Sequence, residues 1–257
     1  MKSQVKAAAR LLLRGSAKLL GRPHLPTRLN GTWVRVPVTA WMALRTDYEP
    51  YMAAALRSVL RSGDTFVDVG SHFGLWSLFA AKLVAPGGRV IAFEPSPAYE
   101  MLARCAAYEP LIRAVRAGVG ELDAEATFFA NGDSTSGSFV PAVTELNPSI
   151  TADARPQQVA VPIRTLDTLL ADAGSPQLIK VDVEGFELAA LRGATGLLAA
   201  RQTHWIVEVH PPQLTLSGGT EAEVMALLEG NGYAVRVIDR NPNSIYTVMA
   251  SPAAGGA

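Results

Sequence analysis

Two apolar runs, joined by a glycine-bearing turn and one helix, constrain this chain more than any other feature. The first is Thr65-Phe-Val-Asp-Val-Gly70, continuing through Ser71, His72 and Phe73 to Gly74; the second is Arg89-Val-Ile-Ala-Phe-Glu-Pro95. Short apolar runs bounded by Gly and Asp are the pattern of parallel strands covered on both faces. The spacing predicts strands over 65–69 and 89–94 with a helix between them, and so an α/β sheet. In such sheets a ligand binds beyond the carboxyl ends of the strands. Gly70 and Gly74 would let it approach the backbone there. Glu94, about 20 residues on, stands where an acidic side chain accepts hydrogen bonds from a ribose diol.

The glycine spacing narrows the ligand. A dinucleotide turn reads G-x-G-x-x-G and aims a helix N-terminus at a diphosphate. Here the pattern is Asp68-x-Gly70-x-x-x-Gly74, which lacks the second glycine and places a carboxylate on the strand. A carboxylate repels a diphosphate and attracts a cation. S-adenosylmethionine, with a sulfonium, an ammonium and no phosphate, fits this better than NAD. The competing reading is a strand-turn-helix in which the glycines serve packing alone.

The 257 residues suffice for one large α/β domain. No apolar stretch reaches the roughly 18 to 20 residues of a membrane-spanning helix. The single cysteine, Cys105, allows no intrachain disulfide and reads as a packing residue in a helix. A net charge of zero hides an asymmetry: residues 1–46 carry nine Lys/Arg and no Asp/Glu, whereas 47–257 carry fourteen against twenty-three. Within 1–22 a basic amphipathic helix is expected, broken by Pro23 and Pro26. Such an arm could lie on an anionic membrane, dock on the acidic body or stay loosely ordered. Arg10 and Arg14 interrupt any secretory signal core, so the expected location is cytoplasmic, with peripheral membrane contact through the arm as a variant.

The rest of the chain divides into an arm and lead-in (1–46), one domain (47–251) and a tail (252–257). A strand or hairpin is expected over 31–46, with Trp33 and Trp41 as core aromatics, then a helix from Tyr48 to Leu60. Further helices are expected near 97–107, 165–172, 186–198 and 220–230, and strands near 111–116, 177–182, 205–210, 233–238 and 245–249. Residues 125–163 break the βα rhythm, and the insertion at about 131–156 reads as a lid or substrate loop carrying Ser134 and Ser136.

Taken together, Asp64–Gly74, Phe93-Glu-Pro-Ser-Pro97, Leu166-Asp167, Leu178-Ile-Lys-Val-Asp-Val-Glu-Gly-Phe-Glu187 and Val207-Glu-Val-His210 resemble the FkbM family of S-adenosylmethionine-dependent methyltransferases, over roughly 48–250. The resemblance implies a class I (Rossmann-like) methyltransferase fold: a seven-stranded, mostly parallel sheet with an antiparallel last strand and helices on both faces. It also implies O-methylation of a sugar, glycolipid or polyketide-like acceptor. The family usually has Ala-Asn after the first glycine, where this chain has Ser71-His72, so His72 becomes a candidate for contact with substrate.

Methyl transfer to an alcohol needs alignment, exclusion of water and removal of a proton. Asp182, Glu184, Glu208 and His210 fall at strand ends. His210 is the expected general base because imidazole titrates near neutrality; Asp182 and Glu208 complete the catalytic set, and Glu184 is assigned to substrate. Asp182 with Glu208 would also suit Mg²⁺, which is not the favoured arrangement. Glu187 reads as a first-turn helix carboxylate. The cofactor set is Asp68, Gly70, Ser71, Gly74 and Glu94, with Gly118 and Val119 near the adenine. The rival readings are an RNA methyltransferase using the basic arm, against which the acidic body argues, and a non-catalytic cofactor-binding or assembly protein. The sequence sets no oligomeric state.

Overall fold

The computed structural model describes residues 24–37, 46–130, 137–145 and 156–253. The amphipathic-helix reading of residues 1–22, Trp41, Ser134 and Ser136 lie outside them. A hairpin comes first, β1 (His24–Leu29) with β2 (Thr32–Pro37). It begins earlier than the sequence pattern suggests, and its alternation sends Val34 and Val36 inward but leaves Trp33 65% exposed. Trp33 is therefore not a core aromatic: on a strand of period two it shares the outward face with Arg35.

Helix α1 (Pro50–Val59) leads into β3 (Thr65–Val69), α2 (Leu75–Val84), β4 (Arg89–Phe93), α3 (Tyr99–Tyr108) and β5 (Ile112–Val115). Next comes a separate four-stranded sheet of β6 (Gly118–Val119), β7 (Ala124–Ala130), β8 (Gly137–Ser138) and β9 (Gln157–Arg164), in the order β6-β9-β7-β8, with α4 (Pro141–Glu145) after β8. The chain then runs through α5 (Leu166–Leu169), β10 (Leu178–Val181), α6 (Glu187–Arg192), α7 (Thr195–Ala200), β11 (His204–Val209), α8 (Pro211–Leu216), α9 (Glu221–Gly230), β12 (Tyr233–Arg240) and β13 (Tyr246–Pro252). Thr165 caps α5 as expected, its side chain accepting from the Thr168 N–H. Three details differ from the sequence reading. The one helix expected over 186–198 is two, α6 and α7, parted at Gly193 and Ala194. Pro211 and Pro212 open a helix instead of merely stopping a strand, because proline suits the first helical positions, where an N–H has no partner. The first residue of the expected tail, Pro252, still belongs to β13 and pairs with Tyr233.

The main sheet has seven strands in the order β12-β13-β11-β10-β3-β4-β5. Its β10, β3, β4, β5 and β11 neighbours pair in parallel, and β13 is antiparallel to both β11 and β12. The expected fold class holds: an α/β sheet with an antiparallel last strand and helices on both faces. Alternate residues of each strand feed two cores. Val67, Val69, Ile179 and Val181 pack toward α6, α7 and α9, while Phe66, Leu178 and Val90 pack toward α1, α2 and α3. On that second face Asp68 and Lys180 are direct neighbours across β3 and β10, 0% and 2% exposed.

Gly70 explains why the turn after β3 is glycine. Its φ is +74°, and an added Cβ would lie 1.8 Å from the Asp182 carbonyl oxygen. Gly87 has a similar φ of +84° with nothing within 4 Å. Gly70→Ala should therefore cost about 2 kcal/mol or more of unfolding free energy, since backbone strain and a steric clash add, whereas Gly87→Ala should cost only about 1 kcal/mol. Urea denaturation of the two variants checks this; equal losses would contradict it.

Candidate functional site

A cavity of about 460 Å³ opens where β3, β4, β10 and β11 end. Its first wall is the turn after β3. The Gly70 and Ser71 N–H groups both donate to the Phe93 carbonyl at 3.0 Å, and the Gly74 N–H donates to the Ser71 carbonyl. The Ser71 hydroxyl also donates to Phe93. The His72 N–H donates to Glu94 Oε2 at 2.7 Å, and the Ser96 N–H to Glu94 Oε1 at 2.9 Å. The Gly70, Ser71, His72 and Gly74 N–H groups are thus taken by protein acceptors. Glu94 lies on the cavity, 5% exposed, and burial raises its carboxyl above the usual range. Gly70, Ser71, Gly118 and Val119 line the same space, so the expected cofactor residues converge except two.

Those two are Asp68 and Gly74. Asp68 is fully buried behind the lining, where it accepts from the Ser77 hydroxyl at 2.6 Å and faces Lys180 Nζ at 3.5 Å. Strand alternation turns its side chain into the α2 core, away from a ligand. Gly74 starts α2, and a Cβ there would lie 2.7 Å from Leu102; its role is packing.

The opposite wall carries the charges. Lys180 Nζ donates to Asp182 Oδ2 at 3.0 Å. Burial works against its charge, but Asp182 and Asp68 outweigh that and hold the ammonium above its ordinary range. Burial likewise opposes ionisation of Asp182, yet Lys180 and then His210 hold its carboxyl below the usual value. Glu208 is pushed up to about 8 by burial and then by Asp182. Burial also raises Glu184, which lines the cavity beside them. His72 is lowered to about 4 by burial and is a neutral ring at pH 7, with Nε2 buried and unpartnered.

His210 behaves differently from the sequence expectation. It is 3% exposed, and its Nδ1–H donates to Glu187 Oε1 at 2.7 Å. Its Nε2 stands 3.8 Å from both Asp182 and Glu184. Burial opposes the imidazolium, but the Glu187 hydrogen bond and the three carboxylates raise it to about 10. The pairing favours the imidazolium form, which has no lone pair to take a proton, whereas the sequence pattern points to a neutral base. Glu187 is more than a helix-dipole carboxylate: fully buried, it also accepts the Gly185 N–H at 2.9 Å and so fixes the turn that carries Glu184.

Sequence motifs missed part of the lining. Tyr48 and Glu49, just before α1, reach the cavity, as does Trp76 of α2, whose indole N–H donates to Glu49 Oε2 at 3.1 Å. Glu49 directly ahead of Pro50 reads in sequence as an ordinary helix start. Phe139, from the described part of the insertion, packs between Phe128 and Phe186 at centroid distances of 5.0 and 5.3 Å, and all three line the cavity. Among the described residues no three His, Cys, Asp or Glu side chains are grouped to hold a metal ion, and no helix is long and apolar enough to cross a membrane.

The charge pattern has a consequence for stability. The folded His210 value of about 10 lies above the ordinary 6.5, so its stabilising effect is complete below about pH 6.5 and is lost as pH rises through 10. The melting temperature should fall between pH 7 and 10, and Glu187→Gln should flatten that fall. Equal slopes for the two proteins in a thermal scan would contradict the pairing.

A family model described as the Methyltransferase FkbM domain matches residues 68–235. Methyltransferase sdnD of Sordaria araneosa is 30% identical over 208 residues, covering 68% of this chain and 76% of that protein. The 31-O-demethyl-FK506 methyltransferase FkbM of Streptomyces tacrolimicus is 29% identical over 228 residues, covering 76% and 84%. Among solved structures, Methyltransferase FkbM from Methylobacillus flagellatus KT aligns with a TM-score of 0.49 at 16% identity over 77% of this chain, which spans 50% of that one.

Proposed function

Because the chain belongs to the FkbM family of S-adenosylmethionine-dependent methyltransferases, we propose that its cavity takes the cofactor at the Glu94 end and methylates an acceptor hydroxyl at the Asp182–His210 end. The acceptor class is a sugar, glycolipid or polyketide-like alcohol. The observation that carries this reading is the chemistry of the lining. Among the described lining residues Lys180 is the one Lys or Arg, and its ammonium is already paired with Asp182 and Asp68, as the His210 ring is with Glu187, whereas Glu94, Glu184 and Glu208 add further carboxyl groups to the space. With the Gly70, Ser71, His72 and Gly74 N–H groups also occupied, such a site suits a cationic ligand without phosphate.

When bound, S-adenosylmethionine supplies an activated methyl group on sulfonium. Glu94, held by two backbone N–H groups, keeps acceptor capacity for the ribose hydroxyls. Gly118 and Val119 offer backbone and a small apolar face to the adenine. Asp182, kept ionised by Lys180 and His210, orients the acceptor by accepting from a hydroxyl next to the reacting one. His210 and the protonated Glu208 stand as donors toward the acceptor's other oxygens. Phe128, Phe139 and Phe186 give the acceptor an apolar wall and exclude water. The Streptomyces tacrolimicus relative, named for a 31-O-demethyl compound, supports oxygen as the methyl-accepting atom.

Calorimetric titration with S-adenosylhomocysteine tests the cofactor half. Wild type should bind, and Glu94→Ala should bind about 10- to 100-fold more weakly, as loss of charge-assisted hydrogen bonds implies. Methyl-labelled S-adenosylmethionine, offered with a panel of methyl glycosides and macrolactone alcohols, tests the acceptor half by counting label in ether products. No binding to folded wild type would sink the reading; label appearing in amines but not in ethers would redirect it.

A further inference from the structure

The proposed reaction requires a group that takes the acceptor's proton, and the Glu187 hydrogen bond holds His210 toward the imidazolium form. We propose that Glu49, at the head of α1, is the general base. This rests on the methyl-transfer reading above and adds a residue that none of the motif blocks contains.

The geometry isolates Glu49 from its ordinary uses. It lines the same cavity as Asp182, Glu208 and His210. Its backbone lies in the left-handed region, φ 41° and ψ 64°, which long side chains rarely adopt. It occupies the capping position of α1, yet its side chain makes no capping hydrogen bond. The carboxylate turns inward instead, accepting from Trp76 Nε1. His72 and Glu184, at φ 52° and 50°, are also non-glycine residues in left-handed backbone, and both line this cavity. Backbone strain gathered at one site, each time placing a polar side chain on it, is the signature of positions kept for function.

The charged and titratable groups around Glu49 are Tyr48 and Tyr51 from its own segment, Lys180 and Asp182 from the end of β10, and Glu208 from β11. Burial is the largest influence and raises its carboxyl above the ordinary range; Tyr48 and Lys180 oppose it, Asp182 adds to it. A raised carboxyl is a stronger base once ionised. Among the described residues Glu49 has no ion-pair partner, in contrast to Asp182, which holds Lys180. Glu49 can therefore accept a proton without breaking a buried pair.

In the step, the acceptor O–H bond breaks and the proton passes to a Glu49 oxygen. The acceptor oxygen's electron pair forms the new bond to the methyl carbon, and the pair of the broken carbon–sulfur bond stays on sulfur. The products are a methyl ether, neutral-sulfur S-adenosylhomocysteine and protonated Glu49, which returns its proton to solvent.

Three proteins test the assignment: wild type, Glu49→Gln and Glu49→Asp, with the panel alcohol of highest turnover as acceptor. Glu49→Gln should lower kcat by about a hundredfold or more, remove the acid limb of the pH–rate profile, and leave S-adenosylhomocysteine affinity and melting temperature unchanged. Glu49→Asp, whose short side chain tolerates left-handed backbone, should regain part of kcat together with the acid limb. Independently of turnover, infrared titration of wild type minus Glu49→Gln should show one carboxyl band titrating above the ordinary range. A Glu49→Gln protein that keeps wild-type kcat and its acid limb, or a difference spectrum without that band, overturns the assignment. Failure of wild type to bind S-adenosylhomocysteine overturns the underlying reading instead.

Discussion

A lysine buried in the middle of a parallel sheet is the constraint on which this site depends. Lys180 is 2% exposed and sits level with Asp68 of the neighbouring strand. A lone ammonium there would be intolerable, and removing one partner of a buried pair costs about 3 to 5 kcal/mol. Asp68 satisfies it from below and Asp182 from the strand end. The second contact fixes Asp182 in place and in charge state at the lip of the cavity. Ser77 of α2 completes the group by donating to Asp68, so helix, two strands and the lip of the cavity are tied by one cluster.

A second buried pair repeats the device on β11. Glu187 holds His210 as a cation, and the two cations, Lys180 and His210, flank Asp182. Electrostatics then sorts chemically similar groups into different states: Asp182 is held ionised, while burial favours the protonated form of Glu208. The two histidines are sorted as well, His72 neutral and His210 charged. Separation of like groups by environment is how one site carries donors and acceptors at a single pH. At the far end Glu94 uses the same logic with backbone partners, and the aromatic wall of the small sheet closes the third side.

Much of this was legible in the sequence because the strands carry clean apolar runs with glycine and acidic punctuation. Most strands of the main sheet, Glu94 and the strand-end group Asp182, Glu184, Glu208 and His210 followed from that pattern, and the antiparallel last strand from the family resemblance. Asp68 and Gly74 did not follow. A motif shows which residues matter but not which face they take, and alternation along β3 sends Asp68 into the core toward Lys180. Lys180 inside an apolar strand was the available signal, since a buried ammonium demands a carboxylate nearby. The state of His210 was hidden because its partner, Glu187, lies on another element, and the reach of Glu49 depends on a left-handed turn no local pattern announces. Trp33 misled because aromatic residues suggest a core, whereas a hairpin exposes every second side chain.

The central claim is that this cavity is built for a cationic, phosphate-free nucleoside ligand. Calorimetry on the wild-type chain with S-adenosylmethionine beside ADP and NAD tests it most directly. The account requires binding of S-adenosylmethionine with no measurable heat from either phosphate-bearing compound. Binding of ADP or NAD at equal strength, competing for the same site, would contradict it.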